Sequence, residues 1–136
     1  AFAAHSGSVN GSAILLYLSG ITWTLFYDTI YAHQDKEDDA LIGIKSTARL
    51  FGDATNIWLW GFSLLSSFLM LGALFFGTSG LSLIIAGFGV LGFWVHLVWQ
   101  VRQVNFDNAE DLLRIFRSNR NAGLIPLMFF ASAVIL

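Results

Sequence analysis

The chain has 136 residues, 56% of them hydrophobic and only 12% charged, with one proline, no cysteine and a formal net charge of −2. A soluble domain carries about 25% charged residues, so this chain lacks the polar surface that a water-soluble fold needs. Its acidic balance excludes a basic nucleic-acid footprint, and its lack of cysteine excludes a disulfide scaffold. What remains is an all-α, multi-pass transmembrane helix bundle of about four transmembrane helices, a single membrane domain over residues 1–136.

In chain order, residues 1–11 (AFAAHSGSVNG) are small and polar enough to read as a loop, with His5 a solvated loop histidine. No initiator Met and no basic n-region precede the first apolar run, which is therefore not a signal peptide. The last run, FFASAVIL, has no polar flank. Both ends read as cut, and a piece of a longer protein is expected.

Ser12 to about Ala32 supplies the roughly 20 mostly apolar residues that a crossing needs, with Tyr17, Trp23, Tyr27 and Tyr31 as rings that settle near interfaces. Asp28 lies inside this run. An ionised Asp at a bilayer centre costs about 3 kcal/mol on insertion scales, so Asp28 is expected to face a wet cavity or the bundle, and an intramembrane acid is a functional candidate. Ala54 to about Gly77 is the second span, with Asp53 or Thr55 as its cap after the Gly52 stop. Thr78-Ser79-Gly80 is a tight hairpin. Leu81 to about Val101 is the third span, in which Gly87, Gly89 and Gly92 let a neighbouring backbone come close. His96 has no second ligand at i+3 or i+4, so it reads as a hydrogen-bonded bundle histidine rather than a metal ligand.

Residues 102–121 form a second polar connection. Within it Ala109, Leu112, Leu113 and Phe116 share one helical face, which predicts a short amphipathic helix on the membrane plane or over a site mouth. Asn121 would cap a last apolar run, Ala122 to Leu136. At 1.5 Å per residue that run is about 22 Å long, short of the roughly 30 Å hydrocarbon core, and Pro126 is a candidate kink. Lys36, Lys45, Arg49, Arg102, Arg114, Arg117 and Arg120 are all the basic residues, and every one lies in the two polar connections. Two crossings separate those connections, so both lie on one side of the membrane, the cytoplasmic side by the positive-inside rule.

The stretch YDTIYAHQDKEDDALIGIKSTARLFG (Tyr27–Gly52) carries the chemistry. If the helix continues from Tyr27 to Asp39 at about 100° per residue, Asp28, Ala32, Asp35 and Asp39 fall in a narrow arc, flanked by Tyr31 and Asp38. Carboxylates crowded on one face repel one another unless a cation sits among them. The alternative is an ordinary solvated helix end, against which stands Asp28 in the apolar run. No EF-hand loop fits, since the sixth and twelfth positions from Asp35 hold Ala40 and Ser46 instead of Gly and Glu. No phosphate-binding glycine loop is present either. Mg²⁺ usually binds through one or two carboxylates plus substrate phosphates. Asp35 and Asp39 offer such a pair at i, i+4, and Lys45 and Arg49, also at i, i+4, could meet diphosphate oxygens. Snorkelling interfacial bases are the plainer alternative for those two.

YA-x-x-D-x-x-D-D-x-x-IGIKSTA-x-x-FG resembles the second aspartate-rich motif of the UbiA superfamily of intramembrane prenyltransferases, in its 4-hydroxybenzoate polyprenyltransferase branch. The later stretch Phe116–Leu124 (FRSNRNAGL) is similar to that branch's final connection. The resemblance implies a partial copy of a nine-helix bundle around a cavity open to lipid. It further implies transfer of a polyprenyl group from polyprenyl diphosphate, bound through Mg²⁺, to the ring carbon ortho to the hydroxyl of 4-hydroxybenzoate, in ubiquinone synthesis, at a bacterial or mitochondrial inner membrane. On this chain it assigns the metal-binding acids to Asp35 and Asp39, with Asp28 and Asp38 as neighbours, the cation-facing ring to Tyr31 and the motif lysine to Lys45. The family's first motif, N-D-x-x-D-x-x-x-D, is absent together with the N-terminal half that bears it, so the chain alone is expected not to turn over. Two other readings are a sister enzyme with another aromatic acceptor and a transporter or ion-path bundle lined by Asp28 and Asp35; acids crowded in connections rather than spread through membrane depth disfavour the latter.

Overall fold

The structure is a computed structural model and describes residues 10–32, 54–106 and 108–135. Four helices account for nearly all of them: α1 (Gly11–Ala32), α2 (Thr55–Gly77), α3 (Gly80–Gln103) and α4 (Ala109–Ile135). Among the described residues α1, α2 and α3 are long and apolar enough to cross a membrane. Each helix packs on its sequence neighbour, and α4 returns against α1, closing an up-and-down bundle.

The buried positions explain the pairing. On α1, Ser12, Ser19, Thr22, Phe26 and Thr29 are buried, and on α4, Leu112, Ile115, Asn119, Ala122, Pro126 and Ala133. Both sets run at alternating spacings of three and four, so each lies along one side of its helix. At the α1–α2 seam the side chains are small and polar. Ser12 Oγ donates to the Ala73 carbonyl at 2.7 Å, Ser19 Oγ to the Ser66 carbonyl at 2.7 Å, and Ser66 Oγ back to the Ser19 carbonyl at 3.0 Å. In a lipid-exposed bundle, close backbone approach and such hydrogen bonds replace the hydrophobic driving force between helices.

The α3–α4 seam closes over glycines of α3. A Cβ on Gly89 would lie 2.7 Å from Phe129 Cβ and 3.2 Å from Pro126 Cα, so the two backbones meet there. Gly92 similarly abuts Ile125, but Gly87 does not fit the expected close approach: nothing lies within 4 Å of its Cβ position, and it borders an apolar cavity between α2 and α3. The α2–α3 hairpin turns through Thr78 and Ser79, both extended, into Gly80 at φ +60°. That left-handed conformation is costly for any residue with a Cβ.

Three boundaries differ from the sequence expectation. The amphipathic segment and the last apolar run are one continuous 27-residue helix, α4, so Asn121 caps nothing. Pro126 sits inside α4, buried against Gly89, and the packed seam holds the helix together across the missing N–H. The first residue before α2 is Ala54, with no side-chain cap, so Thr55 is helical and not the cap; Asp53 and Gly52 lie outside the described residues. Caps do exist at asparagines. Asn10 Oδ1 accepts the Ala13 N–H at 3.1 Å, and Asn108 Oδ1 accepts those of Glu110 and Asp111 at 3.0 and 3.2 Å, satisfying donors that a helix start leaves free.

Candidate functional site

The end of the bundle where α1 finishes and α4 begins carries nearly all the described chemistry. Five rings form a ladder from the core to the surface. Phe93 meets Trp23 edge-on at 5.4 Å, Trp23 meets Tyr27 at 5.5 Å, Tyr27 meets Phe116 at 5.8 Å, and Phe116 meets Tyr31 at 4.6 Å. Edge-to-face contacts of this kind add to burial through the ring quadrupoles. Tyr31, at the outer end, is exposed.

Behind the ladder lies a hydrogen-bonded hub. Asn119 Oδ1 accepts from Trp23 Nε1 and from Gln100 Nε2, both at 3.1 Å, while Asn119 Nδ2 donates to the Phe116 carbonyl at 3.0 Å. Asn119 thus ties α1, α3 and α4 together at one point. Gln100 is fully buried, and its Oε1 has no protein partner. One turn earlier on α3, His96 Nε2 donates to the Ser118 carbonyl at 3.0 Å and its ring stacks on Trp99 at 5.3 Å. This is the hydrogen-bonded histidine expected from the sequence.

The cationic groups gather at the same end. Arg114 donates to Asp111 at 2.6 Å and lies 5.8 Å from the centre of the Trp99 ring. Asp111 also accepts the Asn105 N–H at 2.7 Å, and these two partners, the Arg114 guanidinium first, hold its carboxyl below the usual carboxylate range. Arg117 and Arg120 border a cavity of about 350 Å³ with Trp23, Tyr27, Phe116 and Asn119. A second, larger groove of about 630 Å³ runs along the outer face of α1 past Leu16, Tyr17, Gly20, Ile21 and Thr24, also reaching Trp23 and Tyr27.

Of the residues expected to act, the structure brings Asp28 and Tyr31 to one exposed side of α1, the side that carries the groove. Asp28 therefore does not face the interior of these four helices; Phe26, Thr29 and Ile30 fill that side. Asp35, Asp38, Asp39, Lys45 and Arg49 lie outside the described residues, as does the expected helical continuation through residues 33–39. Among the described residues no three His, Asp or Glu side chains come together as a metal site. The expected donor set is carboxylate oxygen throughout, which suits a hard cation such as Mg²⁺, and Asp28 is its one described member. The motif reading missed the hub of Trp23, Gln100 and Asn119. No local signal marks it: Asn119 sits among the polar residues Arg117, Ser118, Arg120 and Asn121.

Against this geometry stand the known proteins. A sequence model of the UbiA prenyltransferase family matches residues 1–133. The chain is 48% identical over 123 residues to the mitochondrial 4-hydroxybenzoate polyprenyltransferase of Drosophila melanogaster, covering 90% of this chain and 31% of that protein. The enzyme of the same name from Homo sapiens is 46% identical over 131 residues, 93% of this chain and 34% of the relative. That from Rattus norvegicus is 46% identical over 126 residues, 91% and 33%. The chain thus spans about a third of the length of the relatives it matches. No solved structure matches it significantly. With nearly the whole chain matched, this helical bundle belongs to the UbiA prenyltransferase family.

Proposed function

We propose that the chain is the part of a 4-hydroxybenzoate polyprenyltransferase that carries one of its two diphosphate-binding motifs, and that the whole enzyme transfers a polyprenyl group to the carbon ortho to the phenol hydroxyl. The observation that carries this reading is the 46–48% identity to relatives of that name over nine-tenths of the chain. The groove on α1 supports it, being an apolar channel for a prenyl chain that reaches toward the end bearing Asp28 and Tyr31. The proposed setting is an inner membrane, mitochondrial or bacterial, with the acidic motif on the matrix or cytoplasmic side.

In this reading Asp35 and Asp39, flanked by Asp28 and Asp38, hold Mg²⁺. Bound there, the ion would neutralise charge on the diphosphate and make it a better leaving group. Lys45 and Arg49 meet diphosphate oxygens and stabilise the charge that grows as the allylic C–O bond breaks. Tyr31, exposed at the top of the ring ladder, turns a π face toward the allylic cation. The ladder and the apolar groove exclude water, which would otherwise capture that cation. The ring carbon of the acceptor then forms the new C–C bond, and the proton it carried leaves to restore aromaticity.

The test is a chimera in which this chain replaces the matching stretch of the Drosophila relative. It is expected to prenylate 4-hydroxybenzoate in membranes, and Asp35→Asn in it to lose most activity at unchanged expression. A well-expressed chimera without product, or an Asp35→Asn variant with unchanged kinetics, would overturn the assignment. The chain expressed alone is expected to show no turnover.

A further inference from the structure

We propose that Arg117 and Arg120, together with the rings of Trp23, Tyr27 and Phe116, form a subsite for the carboxylate-bearing ring of the aromatic acceptor. This rests on the prenyl-transfer reading and adds to it a place for the second substrate. The two arginines stand at i, i+3 on α4, where neighbouring like charges repel. Arg114, one turn earlier, has its charge met by Asp111. Arg117 and Arg120 have no ion-pair or hydrogen-bond partner among the described residues, yet both border a cavity of about 350 Å³. An anion between them would relieve the repulsion, and a guanidinium fork matches a planar carboxylate with two parallel hydrogen bonds.

The rest of the cavity selects what carries the anion. Three of its six bordering side chains are aromatic, and Tyr27 already meets Phe116 edge-on, an arrangement that a further ring can extend. The Trp23 ring is fixed by its hydrogen bond to Asn119, which lies between the two arginines in sequence and is itself held by Gln100. Such rigid placement lowers the ordering cost of binding. Location adds a second argument. Trp23 and Tyr27 border both this cavity and the long apolar groove of α1. An acceptor ring in the cavity and a prenyl chain in the groove would both border these two side chains, which puts the two sites next to each other; transfer then needs the reacting carbons to meet at the edge of those rings.

An oxyanion at Arg117 and Arg120 could also come from the diphosphate or from a lipid headgroup, and the experiment separates these. In the chimera, Arg117→Gln and Arg120→Gln are measured with 4-hydroxybenzoate and with the uncharged 4-hydroxybenzamide. Loss of one charge-assisted pair predicts a KM for 4-hydroxybenzoate raised about tenfold or more, an unchanged KM for polyprenyl diphosphate, and little or no penalty with the amide. Arg117→Lys, which keeps the charge and loses the fork, should fall in between. A raised KM for the diphosphate instead, or a defect that follows the anionic-lipid content of the vesicles, would assign the pair to those ligands and overturn the proposal. Calorimetric titration of 4-hydroxybenzoate without donor reads the subsite independently of turnover. Saturable binding that both Gln variants lose supports it, and no binding to the unsubstituted protein refutes it even where catalysis is intact.

Discussion

Asn119 gives the sharpest test of how the bundle is held at its polar end. Replacing it by leucine keeps the volume similar and removes the acceptor shared by Trp23 Nε1 and Gln100 Nε2, as well as the donor to the Phe116 carbonyl. Gln100 is fully buried, so its amide group would then have no partner on either atom. In water-soluble proteins a buried donor left unpaired costs about 1–3 kcal/mol. Between membrane helices the unfolded reference is also short of water, and measured couplings average about 0.6 with a maximum of about 1.7 kcal/mol. Two interhelical bonds therefore put Asn119→Leu at about 1–3 kcal/mol less stable. The assay is equilibrium unfolding in mixed micelles of dodecyl maltoside and SDS, followed by circular dichroism. A double-mutant cycle isolates the bonds: Trp23→Phe should cost clearly more in the unsubstituted protein than in the Asn119→Leu background. If the two costs are equal, or Asn119→Leu shifts stability by less than about 0.5 kcal/mol, the hub does not hold the helices together.

Gly89→Ala should weaken the α3–α4 pairing, because the atoms its methyl group would meet include the Pro126 backbone, whereas Gly87→Ala, with open space around it, should leave unfolding unchanged. Equal effects would refute the close approach. Asp111 titrates below the ordinary carboxylate value in the folded chain, so its stabilising effect is complete above about pH 4 and is lost as pH falls through the folded value. Asp111→Asn should flatten that part of a pH–stability profile, and an unchanged slope would contradict it. The chain has no cysteine, so single cysteines report exposure cleanly. In the membrane-embedded chimera, with any cysteines of the relative replaced, labelling of Thr24→Cys on the groove side of α1 by a membrane-permeant maleimide should fall when polyprenyl diphosphate is added, and labelling of Leu127→Cys on the outer face of α4 should not. Labelling of Thr24→Cys that polyprenyl diphosphate leaves unchanged would mean that the prenyl chain does not lie in this groove.

Much of the bundle was legible in the sequence because apolar length is a strong signal. The ends of α1, α2 and α3 all fall within two residues of the expected spans. In the sequence, helix α4 divides into two pieces, because its first half alternates charge with Leu112, Leu113 and Phe116 while its second half is apolar, and Asn121 has the side chain of a cap between them. The backbone runs through, since Asn119, Ala122 and Pro126 lie on one buried side with Leu112 and Ile115, and that side needs an unbroken helix to pack on α3. The acids expected to bind a metal are legible only as a motif; of them Asp28 alone is described, on an exposed side of α1. The Trp23–Asn119–Gln100 hub was not legible, because a contact across 96 residues leaves no local periodicity.

The four helices present two kinds of outer surface, and the difference bears on where chemistry can occur. Beyond Arg120, α4 exposes Leu124, Leu127, Met128, Phe129, Val134 and Ile135, a surface that hydrocarbon can cover without loss. The exposed side of α1 interleaves Leu16, Ile21 and Leu25 with Tyr17, Asp28 and Tyr31. Lipid cannot solvate an ionised Asp28 cheaply, and a wholly aqueous face would not carry so many large apolar side chains. A surface that is apolar along its length and acidic at one end matches an amphiphile with a long hydrocarbon chain and an anionic head bridged by a cation. The polar side chains that would orient an acceptor lie next to that end on α4, across the rings of Trp23 and Tyr27, and not on the lipid-covered faces.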